Sequence, residues 1–225
     1  MSTQSATALY AIEIEEIETE MPAVATYPLY LPTNFAPILM RHEKGRFTAA
    51  DFAVFAAENP DLRLEMNSEG EMIVMMPVGP VGSNRNANLA AELVVWARRD
   101  NSGLAFDATA GFTLQNGAQR SPDASWIRRT RWDALTTEEQ ETFSPICPDF
   151  VVELRSRTDR LKQLKKKMDE YLANGAQLGW LIDPIKKRVH IYRPDTPVEI
   201  LDNPVELSGE PLLKGFTLKL AGILD

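Results

Sequence analysis

Two carboxylate residues beside apolar runs are the first candidates for chemistry in this sequence. Asp123 follows Pro122 and begins the run DASWI, and Glu153 lies near the end of the run PDFVVEL, which opens with a second Pro-Asp pair. A carboxylate in a buried strand is costly unless it is paired or metal-bound. Two of them on neighbouring strands would bind Mg²⁺ or Mn²⁺ through oxygen, and the metal would activate water for attack on a phosphate.

Each of these acids also has a simpler interpretation. Glu153 fits an ion-paired residue at a strand end, with Arg155 or Arg157 as its partner. Asp123 fits a turn acid that follows a proline. The residues by themselves leave the structural and the catalytic interpretation open.

Composition narrows the kinds of site that this 225-residue chain can contain. A single cysteine, Cys147, excludes an internal disulfide and a cysteine-based zinc site, and the two histidines, His42 and His190, lie far apart in sequence. Oxygen ligands therefore remain for a metal. No apolar run is long enough to span a bilayer and no signal peptide is evident, so we expect a cytoplasmic protein.

Charge is distributed unevenly along the chain. The formal net charge is −8, yet residues 153–167 contain seven basic residues and only two acids. Residues 1–45 contain six acidic and two basic residues, and prolines are spread through the later part of this segment. The pattern predicts an acidic, proline-containing extension over residues 1–46 and a domain over residues 47–225 that carries a basic segment.

The elements predicted around the acids are those of an α/β domain. Thr48 is a suitable N-cap for a first short helix, and LRLEM-NSEG-EMIVMM predicts a β-hairpin. An apolar stripe predicts a longer helix that Ser83 can cap. DASWI and PDFVVEL predict strands, with PDFVVEL central and buried. A helix is predicted from Asp159 to Asn174, followed by the strands LGWLID and RVHIYR. This order predicts a mixed β-sheet flanked by helices.

The same segments carry a family resemblance. The runs SPDASWIRR, PDFVVELRSRTDRLKQLKKKMDEYLANGAQLGWLIDP and RVHIYRP, with RLEMNSEGEMIVMMPVG before them, resemble the Uma-two family of restriction endonucleases. That family belongs to the PD-(D/E)XK nuclease superfamily. The resemblance extends from about Phe47 to the C-terminus and does not include the extension. It implies a restriction-endonuclease-like core with the catalytic acids on adjacent strands.

The resemblance also implies roles for individual residues. Asp123 matches the superfamily aspartate, Glu153 the second acid, and Glu65 an additional acid that would help to bind the metal. The sequence departs from the superfamily pattern at Arg155, where a lysine is usual, because arginine stays protonated and cannot act as a base. The family spacing places the lysine on the following helix, at Lys167.

The resulting hypothesis is a DNA endonuclease that depends on Mg²⁺ or Mn²⁺. Asp123, Glu153 and Lys167 would be catalytic, and Asp123, Glu153 and Glu65 would bind the metal. DNA would contact three arginines, Arg155, Arg157 and Arg160. The alternative is a non-catalytic module that binds nucleic acid or protein on a nuclease fold. We also expect a homodimer, and a third interpretation is a self-assembly scaffold in which the proline-rich extension is an exchanged arm.

Overall fold

The two strands that carry the candidate acids lie side by side within a six-stranded sheet. The computed structural model describes residues 37–42 and 45–225. Within this part of the chain the strands are β1 (Ile38–Met40), β2 (Arg63–Met66), β3 (Met72–Met75), β4 (Gly103–Asp107), β5 (Phe112–Thr113), β6 (Gln119–Arg120), β7 (Ala124–Arg128), β8 (Phe150–Leu154), β9 (Leu178–Asp183), β10 (Arg188–Tyr192), β11 (Glu199–Asp202), β12 (Glu206–Ser208) and β13 (Thr217–Lys219).

Five helices connect and cover these strands in the described residues. They are α1 (Ala49–Glu58), α2 (Pro80–Asp100), α3 (Arg129–Trp132), α4 (Thr137–Glu141) and α5 (Leu161–Ala173). Thr48 caps α1 as predicted, in a capping box with Asp51. Helix α2 begins at Pro80 and not after Ser83, because proline suits the first turn, where its missing N–H needs no partner. No helix of the described residues is long and apolar enough to cross a membrane.

The strands form two main sheets and one short hairpin. The larger sheet has the order β11-β10-β9-β8-β7-β4, and β8 and β9 are its parallel pair. The second sheet has the order β1-β3-β2-β6-β5 and is antiparallel. Strands β12 and β13 pair with each other. The mixed sheets flanked by helices confirm the predicted fold class, and β8 is the buried central strand expected from PDFVVEL.

Alternation along β8 assigns its residues to two separate cores. Phe150 and Val152 belong to the core that includes residues of α2 and β9, together with Trp126 and Trp180. Val151 belongs to the core that contains Met168 and Tyr171 of α5. Because successive side chains of a strand point to opposite faces, Glu153 shares the α5 face with Val151. The fold therefore directs this carboxylate towards a helix that carries lysines.

The structure also bears on the N-terminal segment. Strand β1 lies in the range assigned to the extension, and it pairs antiparallel with β3 through Ile38 and Val74. Residues 1–36 and 43–44 lie outside the described residues, so most of the predicted extension does too. The domain boundary near residue 46 stays a prediction.

The single cysteine provides a test of the core. Cys147 is 4% exposed, and burial raises the pKa of its thiol to about 12. At pH 8 only about one thiol in 10⁴ is then a thiolate, the reactive form. We expect no reaction of the folded protein with a disulfide reagent such as DTNB, and one equivalent of reaction in concentrated guanidinium. Rapid labelling of the folded protein would contradict this burial.

Candidate active site

Asp123 and Glu153 meet at the end of the β7–β8 pair. Ala124 pairs with Val152, so the next step along the two antiparallel strands places Asp123 opposite Glu153. The Leu154 N–H donates to Asp123 Oδ2 at 2.8 Å, which fixes the aspartate against β8. Glu153 is 4% exposed. The structure thus brings together the two acids that the sequence singled out.

Burial makes this pair of acids electrostatically unfavourable when both are ionised. Burial raises the pKa of Asp123, although the Leu154 N–H opposes the rise. Burial also raises the pKa of Glu153 to about 7; Lys167 counteracts the rise, and Asp123 and Glu65 add to it. A cation between the two carboxylates would relieve both the desolvation and the repulsion.

Lys167 lies beside Glu153, as the family spacing predicts. Its Nζ is 2.8 Å from Glu153 Oε1 and 2.7 Å from Glu65 Oε1. Burial lowers the pKa of Lys167, but the two carboxylates outweigh burial and the pKa is raised overall, so the amine stays charged. One turn later, the hydroxyl of Tyr171 donates to Glu153 Oε1 at 3.1 Å. Helix α5 therefore supplies both a cation and a hydroxyl to this acid.

Glu65 lies on β2 of the second sheet, and its carboxylate oxygens accept hydrogen bonds from two cationic side chains and one backbone N–H among the described residues. In addition to Lys167, its Oε1 accepts the Ser121 N–H at 3.1 Å, and its Oε2 accepts from Arg120 at 3.1 Å. Lys167 and Arg120 lower the pKa of Glu65 despite burial. Its predicted role as a metal ligand stays a prediction.

Sequence reasoning missed Arg120. This residue lies two positions before Pro122, and its guanidinium joins Glu65 of β2 to Glu170 of α5, with an Arg120 Nη2–Glu170 Oε2 distance of 2.6 Å. Its side chain is 8% exposed. The only signal in the sequence was an arginine close to the Pro-Asp pair, and nothing in that pattern separates a buried arginine from an exposed one.

The three arginines predicted to contact DNA have different environments. Arg155 pairs with Asp183 at 2.8 Å, and Asp183 is fully buried. Arg157 and Arg160 are exposed, and neither makes an ion pair with another described residue. These two remain free to bind an anion, whereas Arg155 has a structural partner.

The acids lie in a large open cleft of about 1890 Å³. Asp123, Glu153 and Lys167 line it, and so do Arg157 and Arg160. Further basic side chains of its lining are Arg63, Arg85, Arg120, Arg155 and Lys166. The same lining contains as many acidic side chains as basic ones. The part of the cleft that suits a phosphate is therefore its exposed basic stretch at Arg157, Arg160 and Lys166.

The donor atoms at the acids are suited to a hard divalent cation. Within the described residues, no three histidine, cysteine or acidic side chains form a ready metal cage. Mg²⁺ is commonly bound by one or two carboxylates, with water and substrate phosphates completing the shell. Asn86 adds a further oxygen: its Nδ2 contacts Asp123 Oδ1 at 3.3 Å, while its buried Oδ1 has no hydrogen-bond partner. These oxygens fit the cation implied by the family resemblance.

Comparison with known proteins agrees with this architecture. A crystal structure from Anabaena variabilis, described as a putative nuclease, superposes with a TM-score of 0.60 at 24% sequence identity. The match covers 72% of this chain and 89% of that one, so the two proteins share a fold. No curated protein matches this chain.

The family itself follows from the sequence match. Residues 49–221 match the family described as "Uma2: Putative restriction endonuclease". The chain therefore belongs to the Uma2 family, as the resemblance in its motifs indicated. The matched range includes each of the candidate site residues named above.

Proposed function

We propose that this protein is an endonuclease that hydrolyses phosphodiester bonds of DNA with the help of Mg²⁺ or Mn²⁺. The observation that carries the proposal is the pair Asp123 and Glu153, which face each other across β7 and β8 in a cleft that also contains the exposed Arg157 and Arg160. Membership of a family described as restriction endonucleases supports the choice of DNA as substrate.

Each residue of the site has a role that follows from its position. Asp123 and Glu153 would hold the cation, and Asn86 lies close enough to Asp123 to assist. When bound, the cation supplies charge stabilisation to a phosphate and activation of water. Lys167 keeps its positive charge beside Glu153 and is placed to donate to a phosphate oxygen that enters the cleft. Arg157 and Arg160 would bind the backbone of the nucleic acid.

Incubation with supercoiled plasmid tests this proposal. We expect nicked and then linear DNA in MgCl₂ or MnCl₂, no cleavage in EDTA, and recovery of cleavage when the metal is returned. Calorimetry with MnCl₂ should show saturable binding by the protein alone. Cleavage that is unaffected by EDTA would contradict metal dependence, and failure to cleave any DNA form would contradict the nuclease.

A non-catalytic binding module is the second candidate. The observation that favours it is that Lys167 already offsets the negative charge of Glu65 and Glu153 in the absence of a metal. This function predicts DNA binding that weakens steeply with salt, no saturable Mn²⁺ binding and no cleavage. The predicted homodimer is a separate proposal, for which sedimentation of the full chain and of a variant starting at Arg46 is the test.

A further inference from the structure

Glu65 is the centre of a buried polar network that extends beyond the two facing acids. It lies on β2 and is 3% exposed. Both of its carboxylate oxygens accept hydrogen bonds: Oε1 from Lys167 and the Ser121 N–H, and Oε2 from Arg120. A carboxylate that accepts from three donors keeps its charge and its orientation even when buried.

Arg120 determines the direction in which Glu65 points. Its guanidinium donates to Glu65 with Nη1 and to Glu170 with Nε, at 3.1 Å and 2.7 Å. Glu170 is itself held by Asn116, whose Nδ2 donates to its Oε1 at 3.0 Å. The planar guanidinium with its fixed donors therefore spans from the second sheet to helix α5.

Lys167 is the residue that this network holds in place. It lies on α5, three residues before Glu170, and its Nζ bridges Glu65 and Glu153. Lysine has a flexible side chain with four methylene groups, so one contact with Glu153 would not fix its ammonium group. Glu65 provides the second fixed point, from the opposite sheet.

We infer that Glu65 and Arg120 are positioning residues for Lys167. Glu65 holds the ammonium group at Glu153, Arg120 holds Glu65, and Glu65 is not a ligand of the metal. The inference gives the additional acid a different role from the one that the family resemblance suggested. Its catalytic meaning rests on the proposed nuclease function, but the contact itself is testable in the metal-free protein.

Amine labelling of the full-length protein tests the contact. A succinimidyl ester is added briefly without metal, and mass spectrometry compares Lys167 with Lys165 and Lys166 in the same sample. In Glu65→Gln we expect at least about a tenfold rise in the relative labelling of Lys167, the size of effect given by one lost charged hydrogen bond. Arg120→Met should show a similar rise and Arg120→Lys a smaller one. Glu58→Gln, on the exposed end of α1, is the matched control.

The labelling experiment distinguishes a lost contact at Lys167 from a general loss of structure. Thermal melting identifies any variant that fails to fold, and Glu65→Gln preserves the shape of the side chain if Arg120→Met unfolds. Unchanged labelling of Lys167 in folded Glu65→Gln would overturn the positioning role. A rise that is equal at Lys165, Lys166 and Lys167 would also overturn it, because general loosening would explain it.

Metal binding distinguishes this inference from the proposed function. With MnCl₂ in a calorimeter, we expect Glu65→Gln to keep one saturable site, weakened by no more than about tenfold, the lower end of the effect of an outer-shell partner. Asp123→Asn should lose that site. Loss of the site in Glu65→Gln would make Glu65 a ligand and overturn the inference. If the wild-type protein binds no Mn²⁺, the proposed function fails, while the labelling result still decides the positioning role.

Discussion

Replacement of Asp123 by asparagine should lower metal-dependent DNA cleavage by about 10³-fold, comparable with the upper end of losses for one electrostatic group in an active site. Asparagine preserves the shape of the side chain and can still approach the Leu154 N–H through its oxygen. It removes the negative charge that a divalent cation requires. The rate of plasmid nicking in MgCl₂, measured over a range of enzyme concentrations, gives the size of the loss.

The control for this variant is Asp195→Asn. Asp195 is exposed, is not among the residues that line the cleft, and has a φ of 54°, a conformation that asparagine also adopts readily. It should cleave at the wild-type rate. Undiminished nicking by Asp123→Asn, with cleavage still abolished by EDTA, would show that the metal is bound elsewhere.

Replacement of Lys167 by methionine should destabilise the metal-free protein by about 3–5 kcal/mol, the cost of removing one partner from a buried ion pair. The variant removes the cation beside Glu153, leaves Asp123 with Arg63, at 3.8 Å, as its ion-pair partner, and deprives Glu65 of one of its two cations. The free energy of unfolding in urea measures the loss. Cleavage should also fall, by about 10²-fold, as a donor to the phosphate is removed.

Urea unfolding of Lys167→Met in the presence of MnCl₂ gives a second test of the same ion pairs. A divalent cation at Asp123 and Glu153 replaces part of the missing positive charge, and ligand binding to the folded state raises stability. The urea midpoint of Lys167→Met should therefore rise more with MnCl₂ than that of the wild type. Lys162→Met is the matched control, since Lys162 is exposed on the same helix and outside the cleft. A Lys167→Met protein as stable as Lys162→Met would contradict the buried ion pairs.

Local patterns were sufficient to predict much of the fold. The apolar run of β8 and the amphipathic stripe of α5 each follow from sequence periodicity. The proline before each apolar run marks the start of a strand, so Asp123 is expected at the start of β7 and Glu153 near the end of β8. The antiparallel pairing of the two strands then brings these ends together. Between β7 and β8 the chain forms the two short helices α3 and α4.

These local patterns do not predict which side chains that are distant in sequence form ion pairs. Arg120 and Glu65 are separated by 55 residues, and only the packing of β2 beside β6 brings them together. Arg155 looked available to DNA because it stands in a basic run, yet it pairs with Asp183 from β9, 28 residues later. The family spacing favoured Lys167, and this lysine has both acids as neighbours.

A crystal structure of the full-length protein soaked in MnCl₂, with anomalous data that locate manganese, would show directly whether Asp123 and Glu153 bind the metal. We expect an anomalous peak bound by the carboxylates of Asp123 and Glu153, with Glu65 still in contact with Lys167 and Arg120. Crystals of Asp123→Asn should lack this peak. Manganese bound only at other residues, or no peak in crystals that hold saturating MnCl₂, would contradict the assignment of this pair of acids as the metal site.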